Sequence, residues 1–252
     1  MSKKTGERTY LDSFLKALGF VNCARDEGEA PDFVIQLGDR RLGIEVVQVF
    51  ADQGATNSKK RQDESHRLTL LRNLCHAYYE AGGSSATLRL QVEPGYFQRI
   101  RGRIPPELRD RLLTRLLART ARMNEGATLT SRVRGRHQSL LATMWIRRLP
   151  DSFGRYSRWQ LLNDSMAWVP TLSREYLNSI VARKAGKLAA YQRRVPDVVL
   201  LMVADGSLAS GLVRYDDGSV ERRGFEAVYL FHHPKGEVQE LAAPARPWSD
   251  GD

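Results

Sequence analysis

The sequence predicts an α/β protein: a mixed sheet flanked by helices, interrupted by a basic, mainly helical insertion. Three observations predict it. Apolar residues recur at helical spacing early and late in the chain. Short apolar runs at strand length lie beside those helices. Between them the chain turns arginine-rich behind a pair of prolines, Pro105 and Pro106.

Residues 8–19 set Tyr10, Leu11, Phe14, Leu15 and Leu18 on one helical face, with Gly19 as the stop. Residues 32–37 and 42–50 read as two strands about a turn at Gly38-Asp39. Residues 52–64 are polar and read as a loop. Leu68, Leu71, Leu74, Cys75 and Tyr78 mark a second amphipathic helix over 65–81, and TLRLQVE at 87–93 alternates as a strand does. Pro105-Pro106 opens a helix with leucines on one face and arginines on the other. Residues 131–148 are expected to continue the helical insertion. Ser173 caps a helix over 173–192, with Glu175 near its positive end. VVLLMVA at 198–204 reads as a buried strand, and FEAVYLFHH at 225–233 as the last one. This divides the chain into a first core part (1–94), an insertion (95–170), a second core part (171–241) and a Pro-rich tail from Ala242.

Composition narrows the function classes. The 252 residues carry 39 Lys and Arg against 29 Asp and Glu, a net charge of +10. Arginine dominates the basic residues, and its planar fork matches phosphate geometry, so a nucleic-acid partner is expected. No run approaches the 18 apolar residues of a membrane span, and no secretory leader is read at the start. With only Cys23 and Cys75 there is no disulfide framework, so a reducing, cytoplasmic setting is expected. The five histidines show no metal-ligand spacing.

The sharpest local signal is PDFVIQLGDRRLGIEVVQVF at 31–50. Its second strand is apolar yet carries Glu45. A charge in a sheet interior is costly unless it is paired or metal-bound. A two-residue turn at Gly38-Asp39, with glycine first as a type II′ turn prefers, puts Glu45 opposite Asp32. Opposed side chains have Cβ atoms roughly 5 Å apart. Two carboxylates that close need a neutralising partner, and a divalent cation with oxygen ligands is one. The other reading makes Glu45 a solvent-facing residue of an edge strand and Asp32 a turn residue.

Pro31-Asp32 followed by Glu45-Val46-Val47 in a strand resembles the motif of the PD-(D/E)XK nucleases, which share the restriction-endonuclease-like fold. The resemblance covers the hairpin, the helix before it with its early acid Glu7, and the later helix and strand. It does not cover the insertion. It implies a metal-dependent nuclease with Asp32 and Glu45 as catalytic metal ligands, Mg²⁺ as cofactor and Mn²⁺ as a substitute. The Val46 carbonyl would be a third ligand. Nucleases of this kind often serve phage defence, mobile elements or repair. The chain departs from the pattern at position 47, where the motif lysine is replaced by valine. A displaced lysine is therefore sought in the 173–192 helix, at Lys184 or Lys187. Lys187-x-x-x-Tyr191 is similar in spacing to an element of exonuclease-like members. Glu7, Gln48 and Tyr191 are accessory candidates, although Gln48 points to the strand face opposite Glu45.

For substrate binding the insertion offers Arg99, Arg101, Arg103, Arg115, Arg119, Arg122, Arg132, Arg134 and Arg136, with Tyr96, Phe97 and Trp145 interleaved. DNA is favoured over RNA, no membrane partner is expected, and a homodimer is compatible with the sequence. The competing expectation is a catalytically silent nuclease-fold protein that binds nucleic acid or a protein, for which Val47 argues.

Overall fold

A computed structural model describes residues 3–20, 23–53, 58–92, 106–134, 140–162, 169–216 and 218–244. The chain divides into two compact units. The first comprises residues 1–58 and 168–252, and the second residues 59–167.

The first unit is a six-stranded mixed sheet between helical layers. Its order is β1 (Arg25–Glu27), β2 (Phe33–Leu37), β3 (Arg40–Gln48), β8 (Asp197–Asp205), β9 (Ala227–His233), β10 (Glu237–Ala242). The first three strands form an antiparallel meander, β3, β8 and β9 run parallel, and β10 returns antiparallel. Helix α1 (Lys3–Ala17) buries Tyr10, Leu11, Phe14 and Leu15 against one face, where Ile35, Val46, Leu201 and Phe231 meet it. The other face is covered by α4 (Arg174–Ala185) and α5 (Leu188–Gln192) through Leu177, Ile180, Val181, Leu188 and Tyr191. Strand β8 is central, so both its faces are buried. That explains its unbroken apolar run. Ser173 caps α4 as expected, accepting from the Tyr176 N–H at 3.2 Å.

The second unit has its own sheet, in the order β5 (Thr128–Arg134), β6 (Leu140–Arg148), β4 (Ala86–Val92), β7 (Gln160–Leu161). One face packs on α2 (Lys59–Glu80) and α3 (Pro106–Thr120) through Leu70, Leu74, Tyr78, Leu112 and Leu116. Three expectations are corrected here. The insertion starts near residue 59, so α2 and β4 belong to it and not to the first unit's sheet. Residues 131–148 contribute a hairpin rather than helix. Ala142, Met144 and Ile146 face the core while Thr143, Trp145 and Arg147 alternate with them, which is the period of a strand. The helix expected over 173–192 breaks at Gly186-Lys187 into α4 and α5. No helix among the described residues is long and apolar enough to cross a membrane.

Candidate active site

The β2–β3 hairpin has the anticipated register. Leu37 pairs with Arg40 and Phe33 with Ile44; Asp32 stands just past the end of that ladder, in the position that would next face Glu45. Gly38 has a φ of 53°, whereas Asp39 is not among the residues with positive φ, as a type II′ turn requires. The ladder ends at Phe33, and the Val46 N–H beyond it donates to Asp32 Oδ2 at 2.9 Å. A strand residue's N–H and C=O point to the same side. The Val46 carbonyl therefore also faces the Asp32 side, away from β8. Strand β3 passes close beneath the Pro31-Asp32 segment because residue 43 is glycine. A Cβ there would fall 2.8 Å from Pro31 Cγ and 2.7 Å from Val195 Cγ1.

Both carboxylates are interior. Asp32 is 7% exposed and Glu45 5%. Each meets a lysine. Lys184 of α4 places Nζ 2.5 Å from Glu45 Oε1. Lys4 of α1 places Nζ 3.2 Å from Asp32 Oδ1, 3.8 Å from Glu7 Oε2, and donates to the Gly28 carbonyl at 2.5 Å. Tyr191 lies beside the acids. Burial first, then the neighbouring Glu45 and Asp32 carboxylates, push its phenol well above the ordinary value, so it keeps its proton. Glu45 Oε2 is buried without a hydrogen bond of good geometry among the described residues.

The expected site residues thus separate into groups. Asp32, Glu45, Val46, Lys184 and Tyr191 come together, with Glu7 joined through Lys4. Lys187 is a correction. It caps α5 at the helix break and is exposed, so it does not share a helical face with Lys184. Gln48 lies on the opposite sheet face, where its amide donates to Tyr10 Oη at 2.6 Å and Tyr10 in turn donates to Asp205 Oδ2 at 2.7 Å. Lys4 was missed by sequence reasoning, which sought the cation only in the 173–192 helix. Its spacing from Glu7, one helical turn, was the available signal. Arg115, Arg119, Arg122, Arg132 and Arg134 fall in the second unit. Arg99, Arg101, Arg103 and Arg136, like Tyr96 and Phe97, lie outside the described residues.

The donor set fits a hard divalent cation. It offers two carboxylates and one backbone carbonyl, all oxygen. Among the described residues no three His, Cys, Asp or Glu side chains form a metal-holding cluster, so such an ion would take its remaining ligands from water or phosphate.

No family model, curated protein or solved structure matches this chain.

Proposed function

We propose that this chain is a metal-dependent phosphodiesterase acting on nucleic acid, with DNA the first substrate to test. The observation that carries it is the burial of Asp32 and Glu45 at the open end of one hairpin ladder, with Lys184 delivered to Glu45 from another element. Likeness to the PD-(D/E)XK nucleases supports it. The order is helix, acidic hairpin and then, after the second unit, helix and a strand parallel to β3. Lys184 would answer the missing motif lysine, because it brings an ammonium to Glu45 that Val47 cannot supply.

Asp32, Glu45 and the Val46 carbonyl would hold the ion. A bound divalent cation supplies an activated water and charge relief at the scissile phosphate. Lys184, held at Glu45, would orient an attacking water and stabilise charge developing on the phosphate. Tyr191 stays protonated and can donate to the Glu45 carboxylate, keeping its position. Lys4 fixes Asp32 from the α1 side, against Gly28 and Glu7.

A plasmid-nicking assay with Mg²⁺ or Mn²⁺ against EDTA tests this reading. Asp32→Asn and Glu45→Gln should abolish cleavage while nucleic-acid affinity stays equal or rises, because less negative charge repels the backbone. Wild-type nicking by either variant overturns it. The second reading is a silent, binding-only protein. It is favoured by Val47 and by the two lysines, which already neutralise both carboxylates. It takes over if the wild type is inert with both metals on duplex, nicked and single-stranded substrates.

A further inference from the structure

The whole basic excess of the chain belongs to the second unit. Residues 59–167 carry 21 Lys and Arg against nine Asp and Glu, a net +12. The remainder carries 18 against 20. Where that charge sits follows from strand register. In the β5–β6–β4 sheet the rows Leu129–Ile146–Leu88 and Ser131–Met144–Leu90 point into the core. The intervening rows therefore point outward. Thr130, Trp145, Arg89 and Gln160 form one row, with Thr128, Arg147 and Thr87 on one side of it and Arg132, Gln91 and the buried Thr143 on the other.

Trp145 is thus set among three guanidiniums. Arg89 is its direct cross-strand neighbour, Arg147 lies two residues on in β6, and Arg132 is diagonal on β5. All three arginines are exposed, while Trp145 is half-buried. None of the three pairs with an acid among the described residues. A groove runs along the β5 edge of the sheet between α3 and β5. Arg111, Arg115 and Arg119 line its helix wall and Arg132 and Arg134 its strand wall. Arginines four apart on a helix recur every ~6 Å, and alternate strand residues every ~6.7 Å. Both steps are close to the separation of successive phosphates on one nucleic-acid strand. The acids Glu107 and Asp110 stand at the start of α3, and Asp110 is paired with Arg109.

We propose that this arginine-bearing sheet face, with the groove beside it, binds a single nucleic-acid strand. The backbone lies on the arginines of β4, β5, β6 and α3, and a base stacks on Trp145. A single strand is the occupant because the indole stands within the arginine field, where an unpaired base can offer its face. A duplex keeps its base faces inside the stack. The proposal names the substrate class for the nuclease reading and rests on it for the purpose of the binding. The binding itself needs no metal and is measured without one.

The test is fluorescence anisotropy of labelled dT₂₀, rU₂₀ and a 20-base-pair duplex, all in EDTA, with full-length protein. Wild type should bind a single strand at least tenfold tighter than the duplex, and the tighter of dT₂₀ and rU₂₀ identifies the sugar. Trp145→Leu should weaken that binding by roughly tenfold, within the range of base–aromatic stacking, and Trp145→Phe should restore most of it. The triple substitution of Arg89, Arg132 and Arg147 by Gln changes only exposed positions. It should flatten the log–log salt dependence by about 2, at about 0.7 per lost single-strand phosphate contact. Equal or tighter duplex binding overturns the proposal, as does single-strand binding indifferent to both the Trp145→Leu and the triple variant. Loss of EDTA binding with cleavage intact overturns this proposal alone. Intact binding with no cleavage under any metal overturns the nuclease reading alone.

Discussion

Lys184 Nζ stands 2.5 Å from Glu45 Oε1, although 139 positions separate the two residues in the chain. The contact exists because α4 packs on the same sheet face that β3 presents with Glu45, through Leu177, Ile180 and Val181. Lys184 sits one turn beyond Ile180, so it reaches the sheet where the apolar contact ends.

Of the two lysines sequence reasoning favours Lys187, with Tyr191 four residues on; position on the helix favours Lys184 instead. Lys184→Ala should cut turnover at least tenfold, a barrier increase of about 1.4 kcal/mol, with nucleic-acid binding retained. Lys187→Ala should leave turnover unchanged, because Lys187 is exposed at the α4–α5 break. Single-turnover cleavage of both variants decides it, and equal effects would remove Lys184 from its assigned role.

The same pair bears on stability. Glu45 and Lys184 side chains are 6% and 15% exposed, and removing one member of a buried pair strands the other. Lys184→Met alone should lower unfolding free energy by about 3 kcal/mol. Combining it with Glu45→Gln should cost clearly less than the two single changes added together. Urea melts of the four proteins measure the coupling; strict additivity would mean the contact carries no energy.

Gly43 is expected to be sensitive for a reason local to the hairpin. A methyl group there meets Pro31 and Val195 below van der Waals distance. Gly43→Ala should cost about 1–3 kcal/mol as overpacking and shift Asp32 away from Glu45. Cleavage should therefore fall further than the melting temperature alone accounts for, read at a temperature where the variant remains folded.

On the opposite sheet face, Asp205 gives a pH-dependent prediction. Burial acts to raise its pKa, but hydrogen bonds from Ser207, Tyr10 and His233 outweigh it and hold the carboxyl below its ordinary value. A depressed carboxylate favours the fold above its unfolded pKa of about 4. That share is lost as pH falls through the lower folded value. Tyr10→Phe removes one of those donors. It should destabilise the protein by about 1.5–3 kcal/mol at pH 7, and by less at pH 3. Denaturant midpoints at the two pH values check the sign; an equal loss at both would place the effect in packing instead.

Local pattern was enough for the hairpin and for the central strands. Turn chemistry at Gly38-Asp39 sets a register in steps of two, so opposition of Asp32 and Glu45 follows from counting residues. The apolar stretch of β8 and the Ser173 cap were legible for the same reason: each depends on residues within a few positions of one another. The β5–β6 hairpin was legible in principle through the alternation at 142–147. Grouping residues 131–148 with the preceding helix passed over that alternation. Tertiary structure alone decided which lysine meets which acid. Lys4 and Lys184 come from helices on opposite sides of the sheet and converge on neighbouring carboxylates only after both helices have docked. It also decided that α2 and β4 join the second unit, since an amphipathic face says that a helix will be buried but not against which sheet. Long-range packing chooses among partners that local spacing leaves equivalent.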